Sequence, residues 1–383
     1  MVKWQKALLI VLLLSGCKKP FEPPGALSNK NRYLVIDGII NSGNDSTFIK
    51  LSLTKKFDTV VVVDPETNAR VTIENDANAS YPLSEITPGT YSAAPLNLDN
   101  SHKYRLRIKT TGNKEYVSDF VGVKNSPTID SIGFKAQNNG VHIYTNTHDA
   151  TNTTRYYRWE YNEDWEFHSF YHSFWIGSMP RDTNQSVYYC FSKDASGSIL
   201  IASSAKLSND IIYQAPIINI PLTSEKIQVK YSVLVKQYAL TSDAYNFWEK
   251  LQSNTDRSGS IFDAQPSVNQ TNYHCVSNPN ELVVGYLSVG SYSSKRIFIT
   301  ADQLSPGYQV TNAFGCKLDT EFYYHPRLGE PNLGDPNSGY TSIDAFYIVP
   351  LAPFGAPSEL EYSSTICSDC TVRGVKAPPP FWK

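Results

Sequence analysis

His168 and His172 stand four residues apart in the stretch YYRWEYNEDWEFHSFYHSFW, residues 156–175. On a helix that spacing places two imidazoles on one face. The zinc-protease motif also needs a glutamate next to the first histidine, to act as base. Ser169 holds that position. On a strand the two rings share a face but stand two steps apart, too far for easy chelation. The same stretch carries Glu160, Glu163, Asp164 and Glu166. Glycoside hydrolysis needs an acid and a base or nucleophile roughly 5–9 Å apart, a condition that clustered surface acids meet by accident. No G-x-S-x-G nucleophile elbow and no phosphate-cradling glycine loop occurs. No catalytic residue, metal ligand or cofactor is assigned.

The chemistry that remains is contact. Tyr157, Trp159 and Tyr161 share one face of a strand, and Tyr156, Arg158 and Glu160 share the other. One set is expected in a core, the other partly covered by a neighbouring sheet or domain. Trp165 to Trp175 holds too many rings for one buried face. Trp165, Phe167, Tyr171, Phe174 and Trp175 are the candidate contacts for a partner protein or for a glycan or peptide ligand, because tyrosine and tryptophan dominate interface hot spots.

Cys367-Ser-Asp-Cys370 is a C-x-x-C in a terminal coil, without a companion pair at metal spacing. A structural role is expected: one or both cysteines tie the tail to the body, with Cys190 and Cys316 as the candidate partners. Cys275 makes five cysteines after Cys17, an odd number, so at least one stays unpaired. The ending PPPFW, 378–382, reads as a rigid apolar plug that packs if the tail is pinned. DPNSGYTSID, 335–344, lacks the carboxylate density of a calcium loop and reads as a turn.

The elements that position these residues are strands. In HKYRLRIKT, 102–110, Tyr104, Leu106 and Ile108 alternate with Lys103, Arg105, Arg107 and Lys109, the period of a half-buried antiparallel strand. Similar runs, separated by Gly, Asn and Pro turns, recur from Tyr33 onward. The expected fold is all-β, with two consecutive Ig/fibronectin-like β-sandwich domains. Residues 32–124 form the first. NSPTIDSIGF, 125–134, marks a joint, and residues 125–383 form a larger second domain with a disulfide-tied, loop-rich C-terminal region. One helix is inserted at about 241–256, capped by Thr241 or Ser242, with Ala244, Trp248 and Leu251 on one stripe. RLGEPNLGDPNSGY, 327–340, reads as a long ordered loop.

The N-terminus addresses the chain. Lys3 and Lys6 precede an apolar run of eight residues, Ala7 to Leu14. A bilayer-spanning helix needs roughly 20, so residues 1–16 read as a signal peptide. Leu14-Ser15-Gly16-Cys17 looks like a bacterial lipobox, with cleavage before Cys17 and acylation of that residue. Several acyl chains hold a protein stably on a membrane. Residues 17–31, Pro-rich at their start, form the tether. Removing Lys3 and Lys6 from 34 basic residues leaves 32 against 36 acidic ones, a net charge of −4. The charges are dispersed, which argues against a nucleic-acid partner.

RYYRWEYNEDWEF, VLVKQYALTSDAYNFWEKLQ, GSIFDAQPS, NPNELVVGYLSVG and the tail CSDCTVRGVKAPPPFW resemble a family of Bacteroidota lipoproteins, the domain of unknown function 4249 family. The opening segment YLVIDGIINSGNDSTFIKLSLTKKF resembles that family's start. The resemblance implies a lipid-anchored β-protein of the cell envelope, on one face or the other of the outer membrane. It also implies a possible partner, a TonB-dependent outer-membrane transporter. It carries no established activity or ligand. The expected function is that of a non-enzymatic binding or accessory protein in nutrient uptake. The competing readings are a structural or adhesive surface lipoprotein and a glycan hydrolase using the acidic-aromatic segment.

Overall fold

A computed structural model describes residues 32–54, 64–176, 179–256, 271–304, 314–322, 340–344 and 359–382. Cys17 with its leader, the tether, most of the 59–64 run and most of the 327–340 loop lie outside these residues. Strands dominate the described residues, and the all-β class holds.

The first module grows from the pair Leu34–Asn41 and Thr47–Leu53, antiparallel with Ile36 opposite Leu51. Alternation buries Leu34, Ile36 and Ile40 from one strand and Ile49 and Leu51 from the other. Gly38 interrupts the first run for a steric reason. Its φ of +142° suits only glycine, and a Cβ there would collide with the Phe48 carbonyl of the paired strand. Strand Ser80–Thr87 links two sheets. Its first half pairs with Arg70–Asn75 and its second half with Thr90–Ala93. The fold thereby closes around Val71, Ile73, Tyr91, Tyr104 and Leu106.

Residues 271–290 correct the expected domain boundary at 124/125. Tyr273–Cys275 adds antiparallel to Glu115–Ser118. Val283–Val284 and Ser288–Gly290 add parallel to Leu34–Asn41. Leu287 and Val289 enter the first core. The first module is thus completed by a segment from deep in the chain. Apolar strands such as ELVVGYLSVG carry no mark of the sheet they join, so the linear reading assigned this one to its sequence neighbours.

The second module is two facing sheets. Ile129–Gln137, Gly140–His148 and Ile211–Ile220 form one. Tyr189–Ala195, Tyr156–His168, Lys230–Leu240 and Ser293–Thr300 form the other, with Leu200–Ser203 added beside Tyr156–Trp159. Between them lie Val141, Ile143, Tyr157, Trp159, Phe167, Tyr231, Val233 and Ile299. Helix Ser242–Asp256 follows directly, its first turn capped by Thr241, whose Oγ1 accepts from the Ala244 N–H at 3.2 Å. Ala244 and Phe247 are buried beneath it. Trp248 and Leu251, placed on the same stripe by periodicity, are half-buried.

Candidate functional site

The 13-residue strand Tyr156–His168 lies between Lys230–Leu240 on one side and Tyr189–Ala195 and Leu200–Ser203 on the other. Alternate side chains therefore point either into the core or onto the outer face of the sheet. Tyr156, Arg158, Glu160, Asn162 and Asp164 take the outer face, and its two ends are covered. At one end the Arg158 guanidinium lies 3.8 Å over the Trp248 ring, and Tyr156 meets Tyr245 at 5.0 Å. At the other end Asp164 accepts from Arg296 at 3.0 Å, and Arg296 lies 3.5 Å over the Phe381 ring. The C-terminal Trp382 closes that end against Phe191 and Phe298.

Part of this outer face stays open. It forms a cleft of about 700 Å³ against the first module. Glu160, Asn162, Lys236 and Tyr238 contribute from the sheet. Asp37, Asp45, Phe48 and Lys50 contribute from the opposite wall, and Tyr292 and the 195–199 loop complete it. Phe48 is 50% exposed, its ring free for contact.

The polar groups in the cleft hold one another in place. Glu160 Oε1 accepts from Arg158 at 2.5 Å, and its Oε2 accepts from the Tyr238 hydroxyl at 3.0 Å. Burial and the Glu160 carboxylate push the Tyr238 phenol well above its ordinary range. The Tyr292 phenol is pushed up to about 12 by burial and by its hydrogen bond to Asp45. Lys236 stands opposite Glu160 in register but turns its ammonium over the Tyr292 ring, 5.0 Å from the centroid. These are positioned donors, acceptors and rings, the furniture of a binding site.

The model of the family described as "Domain of unknown function (DUF4249)" matches residues 18–296. The chain belongs to the DUF4249 family. The match contains every residue that lines the cleft. It ends before the cysteine-bearing tail, whose motif also entered the resemblance. No curated protein matches the chain.

Of the contacts expected in the DUF4249 protein, Trp165 and Phe167 are corrected. Both point inward with Trp159 and lie in the second core, Phe167 at 0% exposure. The strand simply runs longer than the core stretch Tyr156–Tyr161 assigned from sequence, and its alternation carries these rings inside. Phe174 is exposed and Tyr171 half-buried. The side chain of Trp175 lies outside the described residues. Phe170 and Tyr189, not singled out from sequence, are exposed as well. His168 and His172 both pack on the Tyr188 ring, at 4.7 and 4.6 Å. Burial pushes the His172 imidazole below its usual range. Among the described residues no cluster of three His, Cys, Asp or Glu could hold a metal.

Three of the four acids of this strand are held in separate ion pairs. Glu163 points into the core side and is 1% exposed. Its Oε1 accepts from Tyr231 at 2.7 Å and its Oε2 from Lys226 at 2.7 Å. Glu160 and Asp164 point outward to different arginines. The cysteines pair as Cys190–Cys370 and Cys316–Cys367, and Cys275 is free and buried in the first core. All four cysteines expected to tie the tail do so.

Asp45, Phe48, Lys236 and Tyr292 were not legible as a site. They come from segments up to 247 positions apart, each on the solvent face of an ordinary strand or loop. The one available signal was an aromatic ring on the outward side of an alternating strand, as at Phe48 and Tyr238.

Proposed function

We propose that this DUF4249 protein is a lipid-anchored binding protein of the outer membrane, held by acylated Cys17, that works beside a TonB-dependent transporter in nutrient uptake. The observation that carries the reading is the cleft between the modules, with fixed polar groups and aromatic rings from both walls. Its volume of about 700 Å³ is in the range of sites that enclose small ligands. The lipobox at Cys17 supports the anchor, and the exposed rings Phe170, Phe174 and Tyr189 offer a surface for the partner.

Two measurements test this. Mass spectrometry of the mature N-terminus should find Cys17 acylated, and a Cys17→Ala chain should leave the membrane fraction. Mild detergent extraction should co-purify a large β-barrel transporter with the wild-type protein and less of it with Phe174→Ala. Recovery of the wild-type protein without any transporter under gentle extraction would remove the accessory role.

A further inference from the structure

Resting on the reading of the cleft as a ligand site, we infer that its ligand is a neutral oligosaccharide. The first argument concerns what the cleft cannot do. A peptide commonly adds as a strand to a free sheet edge. Among the strands that wall this cleft, only Tyr189–Ala195 and Ser288–Gly290 pair on one side, and each contributes a single residue, Ala195 and Gly290. Tyr156–His168 and Lys230–Leu240 are paired on both sides. Leu34–Asn41 pairs with Thr47–Leu53 and with the two returning strands, and Thr47–Leu53 pairs onward with Thr90–Ala93. Recognition must run through side chains.

The second argument is charge. Asp37, Asp45 and Glu160 face Lys50, Arg158 and Lys236, three carboxylates against three cations. Asp37 and Lys50 stand opposite in register, as do Glu160 and Lys236. A balanced cleft has no net field with which to favour an ion of either sign. It does offer many separate donors and acceptors. Carboxylates accept from hydroxyls, Lys236 donates, and Asn162, Ser196 and Ser198 do both. A ligand with many hydroxyls and no charge satisfies such a set.

The third argument is shape and surface. Phe48 presents an exposed ring on one wall, and the Tyr292 and Tyr238 rings stand on the other side. The Tyr238 hydroxyl is already bonded to Glu160 and the Lys236 ammonium stands over the Tyr292 ring, so both rings are held in orientation. Fixed rings flanked by polar groups match the two aspects of a sugar, an apolar C–H face and a polar hydroxyl edge.

Affinity electrophoresis of the full chain in detergent tests this, with amylose, xylan, galactomannan and laminarin in the gels. Polygalacturonate and gelatin serve as the acidic and peptide probes. At least one neutral polymer should retard the protein, insensitively to salt. Phe48→Ala, a change at an exposed ring, should weaken that retardation about tenfold. Retardation only by polygalacturonate or gelatin, lost in Phe48→Ala, would keep the cleft as the site and overturn the neutral-sugar assignment. Retardation by a neutral polymer that Phe48→Ala and Tyr292→Ala both leave intact would overturn the cleft reading itself. No retardation by any neutral polymer would overturn the inference.

Discussion

The indole Nε1 of Trp159 donates to Oε1 of Gln237 at 2.9 Å, with both side chains buried. The amide nitrogen of Gln237 then donates to the Pro127 carbonyl at 2.9 Å and to Thr147 Oγ1 at 3.0 Å. One side chain thus ties the aromatic strand to the joint at residues 125–128 and to the facing sheet. Replacing it with leucine leaves the buried indole N–H without a partner and removes a donor from Thr147 Oγ1 and from the Pro127 carbonyl, which keeps Ser126. Gln237→Leu should cost about 2–4 kcal/mol in urea denaturation. A loss below about 0.5 kcal/mol, the scale of an ordinary surface change, would refute the assigned role.

Glu163 and Lys226 give a second test. The carboxylate is buried and its ammonium partner, 21% exposed, also reaches Asp194 at 3.2 Å. Burial alone would lower the Lys226 pKa, but the hydrogen bonds and charges of Glu163 and Asp194 raise it above 10.5. A raised ammonium pKa means stability that is fully present below pH 10.5 and is lost as the pH climbs through the folded value. Glu163→Gln should cost about 2–4 kcal/mol at neutral pH, because it leaves a partly buried cation short of its main partner. Glu163→Leu with Lys226→Met and Tyr231→Phe should recover most of that loss, since no polar group is then stranded. Failure of the triple variant to recover would show that packing, not charge pairing, sets the cost.

The sequence revealed the fold class, the helix and the four tethering cysteines because each depends on local signals. Period-two runs mark strands, Thr241 marks a cap, and a C-x-x-C in a terminal coil suggests a tie. Trp165 and Phe167 were misplaced because nothing local says where a strand of thirteen residues stops being core. The return of residues 271–290 to the first module was hidden for a related reason. Parallel pairing with Leu34–Asn41 spans about 250 residues and leaves no trace in composition. The cleft depends on this non-local return, since Gly290 and Tyr292 reach it only that way.

Asp149 predicts acid sensitivity at one turn. Its carboxylate accepts from the backbone N–H groups of Thr151, Thr153 and Thr154 and from two threonine hydroxyls. Burial pushes its pKa up, but these hydrogen bonds outweigh burial and hold it well below the ordinary carboxylate range. The turn also presents Asn152, whose Oδ1 accepts from the backbone of buried Asp210, the acceptor for Tyr157. A depressed carboxylate pKa contributes stability above the ordinary value of 3.8, and that contribution is lost as the pH falls through the folded value. Asp149→Ala should cost about 1–3 kcal/mol at neutral pH. The gap between wild type and variant should shrink steadily in denaturation series taken below pH 3.8. A gap independent of pH would contradict the assignment.

The C-terminal tail gives the last test. Cys190 and Cys370 are joined across 180 residues, and both lie at 0% exposure in the second core. Beyond the bond, Val375 and Phe191 exchange both backbone hydrogen bonds, and Trp382 packs on Phe191 and Phe298. The tail is thus an added edge for strand Tyr189–Ala195, and its end is held by half-exposed rings beneath the Arg296 and Lys230 cations. Closing so long a loop contributes about 2–5 kcal/mol on a chain-entropy argument. Cys190→Ala with Cys370→Ala should lower stability by that amount and release the segment after residue 370 to limited proteolysis, read by intact mass. Trp382→Ala, with both disulfides present, should expose only the last residues and cost about 1–2 kcal/mol. Equal protease resistance in the cysteine variant and the wild type would show that the edge pairing at Val375 holds the tail without the disulfide.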